Sequence, residues 1–163
     1  MKTVGLLLLF LTGLAGGSLA AGRLHARVLF LRRTLHLLRT LGERIAYEAL
    51  PLRPLLESLC PCSGMPDYLP EVCARLRAGD VPAGAFAAVW AVAPCTEADR
   101  ELLRRCTDSL GQGDRAGQTA RLTATCRALE ESLRDAQQRA VTGGRMCRTT
   151  GACAGAALVL LLL

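Results

Sequence analysis

The chain has 163 residues, with 20 Lys and Arg against 14 Asp and Glu, and 51% of its residues are hydrophobic. At roughly 150 residues per domain, this length leaves room for one core and argues against a multidomain enzyme. Leu, Ala and Arg are the most frequent residues while Ile45 is the only isoleucine, so the composition predicts an all-α fold.

The first element in chain order is an uncharged segment that covers residues 3–22. As a helix it would be roughly 30 Å long, which is the thickness of the hydrocarbon core of a bilayer. Only Lys2 precedes it, whereas four arginines follow it closely: Arg23, Arg27, Arg32 and Arg33. Because positively charged flanks stay in the cytoplasm, we predict a transmembrane helix whose carboxyl end faces the cytoplasm.

The same segment has a second interpretation as a secretory signal peptide. Its Leu-rich stretch ends at Ser18-Leu19-Ala20, a pattern of small residues that is typical of a cleavage site. Cleavage near Ala20 would export the remainder, and the cysteines would then indicate a disulfide framework. The eight cysteines are Cys60, Cys62, Cys73, Cys95, Cys106, Cys126, Cys147 and Cys153.

In a reducing cytoplasm the same cysteines are interpreted as small hydrophobic residues of a helical core. Cys60 and Cys62 are the only closely spaced pair, no C-x-x-C pair exists, and His25 and His36 lie far away in sequence. The pattern therefore predicts neither a metal site nor a cofactor.

An amphipathic helix is predicted to follow the first span and to end before Pro51. Its apolar residues recur at alternating steps of four and three, and a second row widens the apolar stripe. The rows are Leu24, Val28, Leu31, Leu35, Leu38, Ile45 and Ala49, and then Phe30, Leu37 and Leu41.

Four shorter helices are predicted between this helix and Gly111. The signals that separate them are a turn over residues 60–65, Gly79 as a helix end, Pro82 in a first turn, and Thr96 as an N-cap. The predicted ranges are 52–59, 67–77, 80–93 and 97–110.

The last helical arm is predicted to begin at Asp114, a candidate N-cap that follows a glycine-containing turn. Since both arms enter the membrane from the same side, they must run antiparallel, and their apolar stripes can bury each other. Gly143 and Gly144 are expected to weaken the arm near the membrane. The apolar or small residues of its seam are Leu122, Cys126, Leu129, Leu133, Ala136 and Ala140.

The final segment, residues 149–163, is predicted to be a second transmembrane helix. It has only 15 residues, so it would need local thinning of the bilayer. Arg145 and Arg148 come just before it and place this flank in the cytoplasm as well. The predicted organisation is a compact cytoplasmic bundle of about six helices over residues 23–148, flanked by two membrane spans.

The sequence lacks the motifs that catalysis would need. The stretch over residues 111–119 has the glycines of a phosphate-binding loop but not its lysine, because Lys2 is the only lysine of the chain. No G-x-S-x-G elbow accompanies the two histidines. Few aromatic residues are present for base stacking, so the juxtamembrane arginines favour anionic lipids over nucleic acid. We therefore expect no catalytic residues and a protein that is not an enzyme.

Several residue strings resemble the stage III sporulation protein AB family of endospore-forming bacteria, and the resemblance covers nearly the whole chain. The eight cysteines depart from the family's pattern. The strings are Leu110-Gly111-Gln112-Gly113-Asp114-Arg115, then Gln118, Leu122, Leu129, Ala136, Gly151, Gly155 and the closing Leu-Val-Leu-Leu-Leu-Leu, and earlier Glu43, Ile45, Tyr47, Pro51-Leu52, Leu76, Gly79 and Trp90.

The resemblance implies a platform in the channel apparatus that joins mother cell and forespore, similar to the F component of type II secretion systems. It implies a two-pass protein of the cell membrane whose main domain faces the cytoplasm on the mother-cell side. The implied partners are a secretion-type ATPase similar to stage III sporulation protein AA, other channel subunits and membrane lipids, with homo-oligomerisation left open. The interface candidates are Glu43, Tyr47, Gly111, Asp114 and Gln118, and for each a local capping or pairing role is the alternative.

Overall fold

The structure is a computed structural model that describes residues 2–47, 51–108, 110 and 115–162, with side chains described for 22–47, 51–108, 110 and 116–143. The described residues form six helices and no strand, which confirms the all-α prediction. The helices are α1 Lys2–Tyr47, α2 Leu52–Leu59, α3 Leu69–Ala78, α4 Pro82–Ala91, α5 Glu97–Asp108 and α6 Arg115–Leu162.

The bounds of the short helices agree with the sequence prediction to within two residues. Helix α2 has the predicted range. Helix α4 runs from Pro82 to Ala91, so the predicted range 80–93 is too long by two residues at each end, and Val81 before the proline is extended. The predicted start of α3 at Asp67 is wrong by two residues, because residues 67 and 68 form a turn in which Leu69 N donates to Pro66 O. Helix α5 ends at Asp108, two residues short of the prediction, and Leu110 lies in a turn closed by a bond from its N–H to Thr107 O.

The chain divides into two compact units. One consists of Met1–Val28 and Arg134–Leu163, and the other consists of Leu29–Leu133. The second unit contains α2 to α5, and in it α2 packs on α3, α3 on α4, and α4 on α5. Each short helix therefore packs on the next one in sequence within the second unit.

The core of the second unit is built mainly from leucine side chains. The residues of the predicted α1 stripe that belong to this unit are buried, apart from Ala49, which lies outside the described residues. The seam of α6 is buried in this unit at three positions, and Leu133 is half-buried. Truncation of a fully buried leucine typically costs about 2–5 kcal/mol, so these residues dominate the stability of the unit. The largest fully buried residues are Trp90, Phe86, Leu31, Leu37, Leu38, Leu41, Leu55, Leu56, Leu59, Leu69, Leu103 and Leu129.

An aromatic cluster joins α1 to the short helices. The Tyr68 ring lies with its centroid 5.7 Å from that of Phe30 and 6.5 Å from that of Trp90, edge to face. The Phe86 ring is tilted by 34° against the Trp90 ring, with the two centroids 5.0 Å apart. Tyr68 also forms a hydrogen bond of 2.9 Å with the hydroxyl of Thr34, which is fully buried. Offset and edge-to-face aromatic pairs add stability beyond the area that they bury, so this cluster anchors the turn before α3 to α1.

Two of the predicted helix ends have the expected chemistry. Thr96 Oγ1 accepts a hydrogen bond from the Asp99 N–H at 3.3 Å, and Asp99 Oδ2 accepts one from the Thr96 N–H at 3.0 Å, which is a reciprocal cap at the start of α5. At the end of α3, Gly79 has a φ of 103°, a left-handed conformation that favours glycine.

Within the second unit α1 and α6 run antiparallel, as the sequence predicts, because Arg39 pairs with Glu130 and Gly42 lies beside Leu122. In the second unit, a Cβ on Gly42 of α1 would lie 3.8 Å from Leu122 of α6. In the first unit, a Cβ on Gly143 of α6 would lie 3.2 Å from Leu24 Cδ1 of α1. The glycine pair that was expected to weaken the last arm lies inside the continuous helix α6, and Gly143 is a position of close helix packing.

No helix within the described residues is long and apolar enough to cross a membrane. The predicted spans over residues 3–22 and 149–163 lie outside the described side chains, apart from Gly22. Both spans, and with them the predicted bounds 23–148 of the middle domain, stay predictions.

Candidate functional site

A surface groove lies between α1 and α6 within the unit formed by Leu29–Leu133. Its volume is about 460 Å³, which is in the range of sites that accept a small molecule or a segment of a partner protein. The lining residues are Leu38, Arg39, Gly42, Glu43, Ala46, Tyr47, Thr119, Leu122, Thr123, Cys126, Arg127 and Glu130.

The floor of the groove is apolar and follows from the small residues of the two helices. Leu38 and Leu122 are buried there, and Gly42 and Ala46 leave the space above them open on the α1 side. Cys126 is 6% exposed, and burial raises the pKa of its thiol to about 11, with the neighbouring Cys106 adding to the effect. At neutral pH this residue is therefore an uncharged thiol that extends the apolar floor and not a nucleophile.

Charged side chains form the rim of the groove. Arg39 of α1 donates to Glu130 of α6, which fastens the two helices across the groove. Glu43 and Arg127 are both exposed and stand on opposite walls, and neither forms an ion pair with any residue that the structure describes. An apolar floor with charged, unpaired groups at its rim is suited to binding a protein segment that brings its own opposite charges.

Tyr47 is the most exposed large apolar residue in the described part of the chain, at 89%. It lies at the end of α1, on the edge of the groove. An aromatic ring with a hydroxyl group is a common anchor in protein interfaces, because it buries a large area at little cost in conformational entropy.

The structure brings together two of the five interface candidates from the sequence, since Glu43 and Tyr47 both line the groove. Gln118 is half-buried in the first turn of α6, one position before the lining residue Thr119, and has interactions of its own. Gly111 and Asp114 lie outside the described residues. All five stay candidates for an interface.

Sequence reasoning missed three charged residues of the groove. Arg39, Arg127 and Glu130 all line the groove, and none of them was an interface candidate from the sequence. Their charges and helical spacing were visible in the sequence. The register between α1 and α6 places Arg39 opposite Glu130, and it could not be predicted from the sequence.

The described histidine, cysteine and carboxylate side chains do not cluster. Among the residues with described placement, no group of three or more His, Cys, Asp or Glu side chains could hold a metal ion. The six cysteines in this part of the chain are free thiols, namely Cys60, Cys62, Cys73, Cys95, Cys106 and Cys126.

An all-helical fold with a charged groove between two long helices defines a class of helical-bundle proteins. Comparison with known families identifies the particular one. The model of the family "stage III sporulation protein AB" matches residues 2–163, and the chain belongs to this family. No curated protein and no solved structure matches the chain. The family assigns the protein a sporulation-related role and does not favour the exported alternative.

Proposed function

We propose that this protein is a non-enzymatic platform of the sporulation channel apparatus, held in the cell membrane by two spans, with its helical bundle in the cytoplasm. The bundle docks a secretion-type ATPase through the groove between α1 and α6, and it also contacts other channel subunits. The family match supports the setting in sporulation. The observation that carries the docking role is the pair of opposite charges, Glu43 and Arg127, which stand above an apolar floor without an ion-pair partner among the described residues.

The chemistry of the groove favours a protein partner over a small substrate. Its rim carries charges of both signs, and its floor offers leucine side chains and a neutral thiol in place of a nucleophile or a general base. Such a surface fits an amphipathic helix whose apolar face enters the groove and whose flanking Arg and Glu residues meet Glu43 and Arg127. A cytoplasmic ATPase is the partner that the resemblance to the family implies.

Co-purification tests the proposal. The full chain carrying an affinity tag is extracted in detergent from sporulating cells, and bound proteins are identified and quantified. We expect a secretion-type ATPase with the unchanged protein. Glu43→Ala, Tyr47→Ala and Arg127→Ala are each expected to reduce the bound ATPase by about tenfold, the effect of losing one interface anchor. Asp114→Ala, chosen from the sequence, is expected to act in the same direction.

Matched controls come from exposed residues of α6 outside the groove. Glu131→Ala removes a carboxylate and Arg134→Ala removes a guanidinium at positions that do not line the groove. Both control variants are expected to keep the ATPase bound, and circular dichroism is expected to show equal helicity for all variants. If the groove variants and the controls bind equally, the groove is not the docking surface. If no ATPase is recovered with the unchanged protein, the proposed partner is wrong.

A further inference from the structure

Two cysteines of the second unit are in direct contact. Cys60, at the carboxyl end of α2, has its Sγ 3.1 Å from the Sγ of Cys73 in α3. Cys60 is half-buried, whereas Cys73 is only 1% exposed. Cys62 is exposed and its Sγ donates to Ser58 O at 3.7 Å, so it is held by its own helix end. The contact therefore joins one accessible thiol to one buried thiol.

The two sulfur atoms are close enough for a covalent bond, and the described residues offer no third ligand that would complete a metal site beside them. Two thiolates on a tetrahedral zinc ion are about 3.8 Å apart, given a zinc–sulfur distance near 2.3 Å. The 3.1 Å separation of Cys60 and Cys73 lies between that spacing and the distance of bonded sulfur atoms, roughly 2.05 Å. Only a small movement of the turn after α2 is needed to close the bond.

We propose that Cys60 and Cys73 form a disulfide that fastens α2 to α3 when the protein meets a low-molecular-weight disulfide as oxidant. The Cys60 thiolate attacks one sulfur of the oxidant RSSR, which forms the mixed disulfide Cys60–S–S–R and releases RS⁻. The Cys73 thiolate then attacks Sγ of Cys60 and releases the second RS⁻. Each RS⁻ takes up the proton that one cysteine has lost, so two protein thiols lose two electrons and RSSR becomes two RSH.

The order of the two steps follows from the exposure of the two thiols. Cys60 can be reached from solvent, while burial and the neighbouring Cys60 thiol raise the pKa of Cys73 to about 12. Cys73 is therefore a poor first nucleophile in solution. It becomes effective when its sulfur already lies beside the mixed disulfide, because the reaction is then intramolecular.

The disulfide reinforces a connection that is already present between the same two helices. Arg77 of α3 donates to Glu57 of α2 at 2.8 Å, and this pair lies close to the two cysteines. The ion pair is exposed to solvent and contributes little by itself. A covalent bond from residue 60 to residue 73 restricts the unfolded chain and is expected to raise the melting temperature by about 5–10 °C.

The test uses the purified full chain treated with oxidised glutathione. Remaining thiols are alkylated, and the protein is digested with trypsin together with a protease that cuts after glutamate. Cuts after Glu57, Glu71 and Arg75 separate Cys60 from Cys73, so the disulfide appears as fragment 58–71 joined to fragment 72–75, two hydrogen masses lighter than their sum. We expect this linked pair in the oxidised protein and its loss on reduction.

Serine variants identify the partner of Cys73. Cys62→Ser is expected to keep the linked fragments and the rise in melting temperature, whereas Cys60→Ser is expected to lose both. The proposal is overturned if no linked pair forms, if only the mixed disulfide with glutathione accumulates on Cys60, or if the link survives Cys60→Ser and disappears with Cys62→Ser. These measurements do not depend on a bound ATPase, so they test the disulfide independently of the docking groove.

Discussion

The hydroxyl groups of Thr34 and Tyr68 lie 2.9 Å apart, and this hydrogen bond joins α1 to the turn that precedes α3. Thr34 is fully buried, so its hydroxyl depends on this partner. Tyr68→Phe is expected to lower the free energy of unfolding by about 1–3 kcal/mol, because it leaves the Thr34 hydroxyl short of a partner. Urea denaturation measures the change.

A second variant separates the hydrogen bond from the packing of the ring. Thr34→Val combined with Tyr68→Phe removes both hydroxyl groups and keeps similar shapes, so it is expected to be more stable than Tyr68→Phe alone. A double variant that is less stable than the single one by the full cost of Thr34→Val would show that the two hydroxyls do not interact.

Stability is expected to fall at high pH. Burial raises the pKa of Tyr68 to about 12 and the pKa of Cys73 to about 12, above the values of roughly 10 and 9 for the unfolded chain. At a pH between its unfolded and folded pKa, each group keeps its proton in the folded protein and loses it in the unfolded chain. The contribution of each group to the free energy of unfolding is therefore fully present below the unfolded pKa and is lost as pH rises toward the folded pKa.

Denaturation at a series of pH values measures this loss. For each group the free energy of unfolding is expected to decrease by about 1 kcal/mol per pH unit within its range. Tyr68→Phe is expected to have a shallower slope between pH 10 and 11 than the unchanged protein, since it removes one of the groups. Equal slopes, or a stability that rises with pH in this range, would contradict the assigned burial.

Two glycines are expected to respond to alanine with opposite signs. Gly79 has a φ of 103°, so Gly79→Ala is expected to cost about 1–2 kcal/mol. Gly42 is helical, and an added Cβ would lie at an ordinary contact distance of 3.8 Å from Leu122, so Gly42→Ala is expected to stabilise by about 0.5–1 kcal/mol. Thermal or urea unfolding decides both signs. A loss of stability with Gly42→Ala would show that the two long helices pack more closely than described.

The reciprocal cap at the start of α5 makes a further prediction. Thr96→Ala removes the acceptor of the Asp99 N–H and is expected to lower the free energy of unfolding by about 1 kcal/mol. Thr96→Ser keeps the hydroxyl oxygen and is expected to retain most of this stability. If serine and alanine destabilise equally, the hydroxyl at this position does not act as a cap.

Local signals in the sequence predicted most of the helices. Pro51 before α2, Gly79 after α3 and Thr96 before α5 act through their own backbone geometry, so their effects could be recognised without a structure. The start of α3 was predicted wrongly because Asp67 belongs to a turn and pairs with Arg33, a residue 34 positions away. Such a tertiary contact leaves no local signal.

The groove shows the same division between local and long-range information. Periodicity indicated that α1 and α6 bury apolar stripes against each other, and it identified the seam residues Leu122 and Cys126 correctly. The register that places Gly42 beside Leu122 and Arg39 beside Glu130 depends on how side chains of both helices fit together. The rim of the groove could therefore be recognised only in three dimensions.

The measurement that tests the account most directly is the side of the membrane on which the bundle lies, since a cytoplasmic ATPase can bind only there. Cys62 is the suitable reporter because its side chain is exposed, whereas Cys106 is buried. Bacteria that express the full chain are treated with a membrane-impermeant maleimide, either intact or after lysis, with Cys62→Ser as the control. We predict labelling that depends on Cys62 only after lysis and without added reductant. Labelling of Cys62 in intact cells would contradict a cytoplasmic platform.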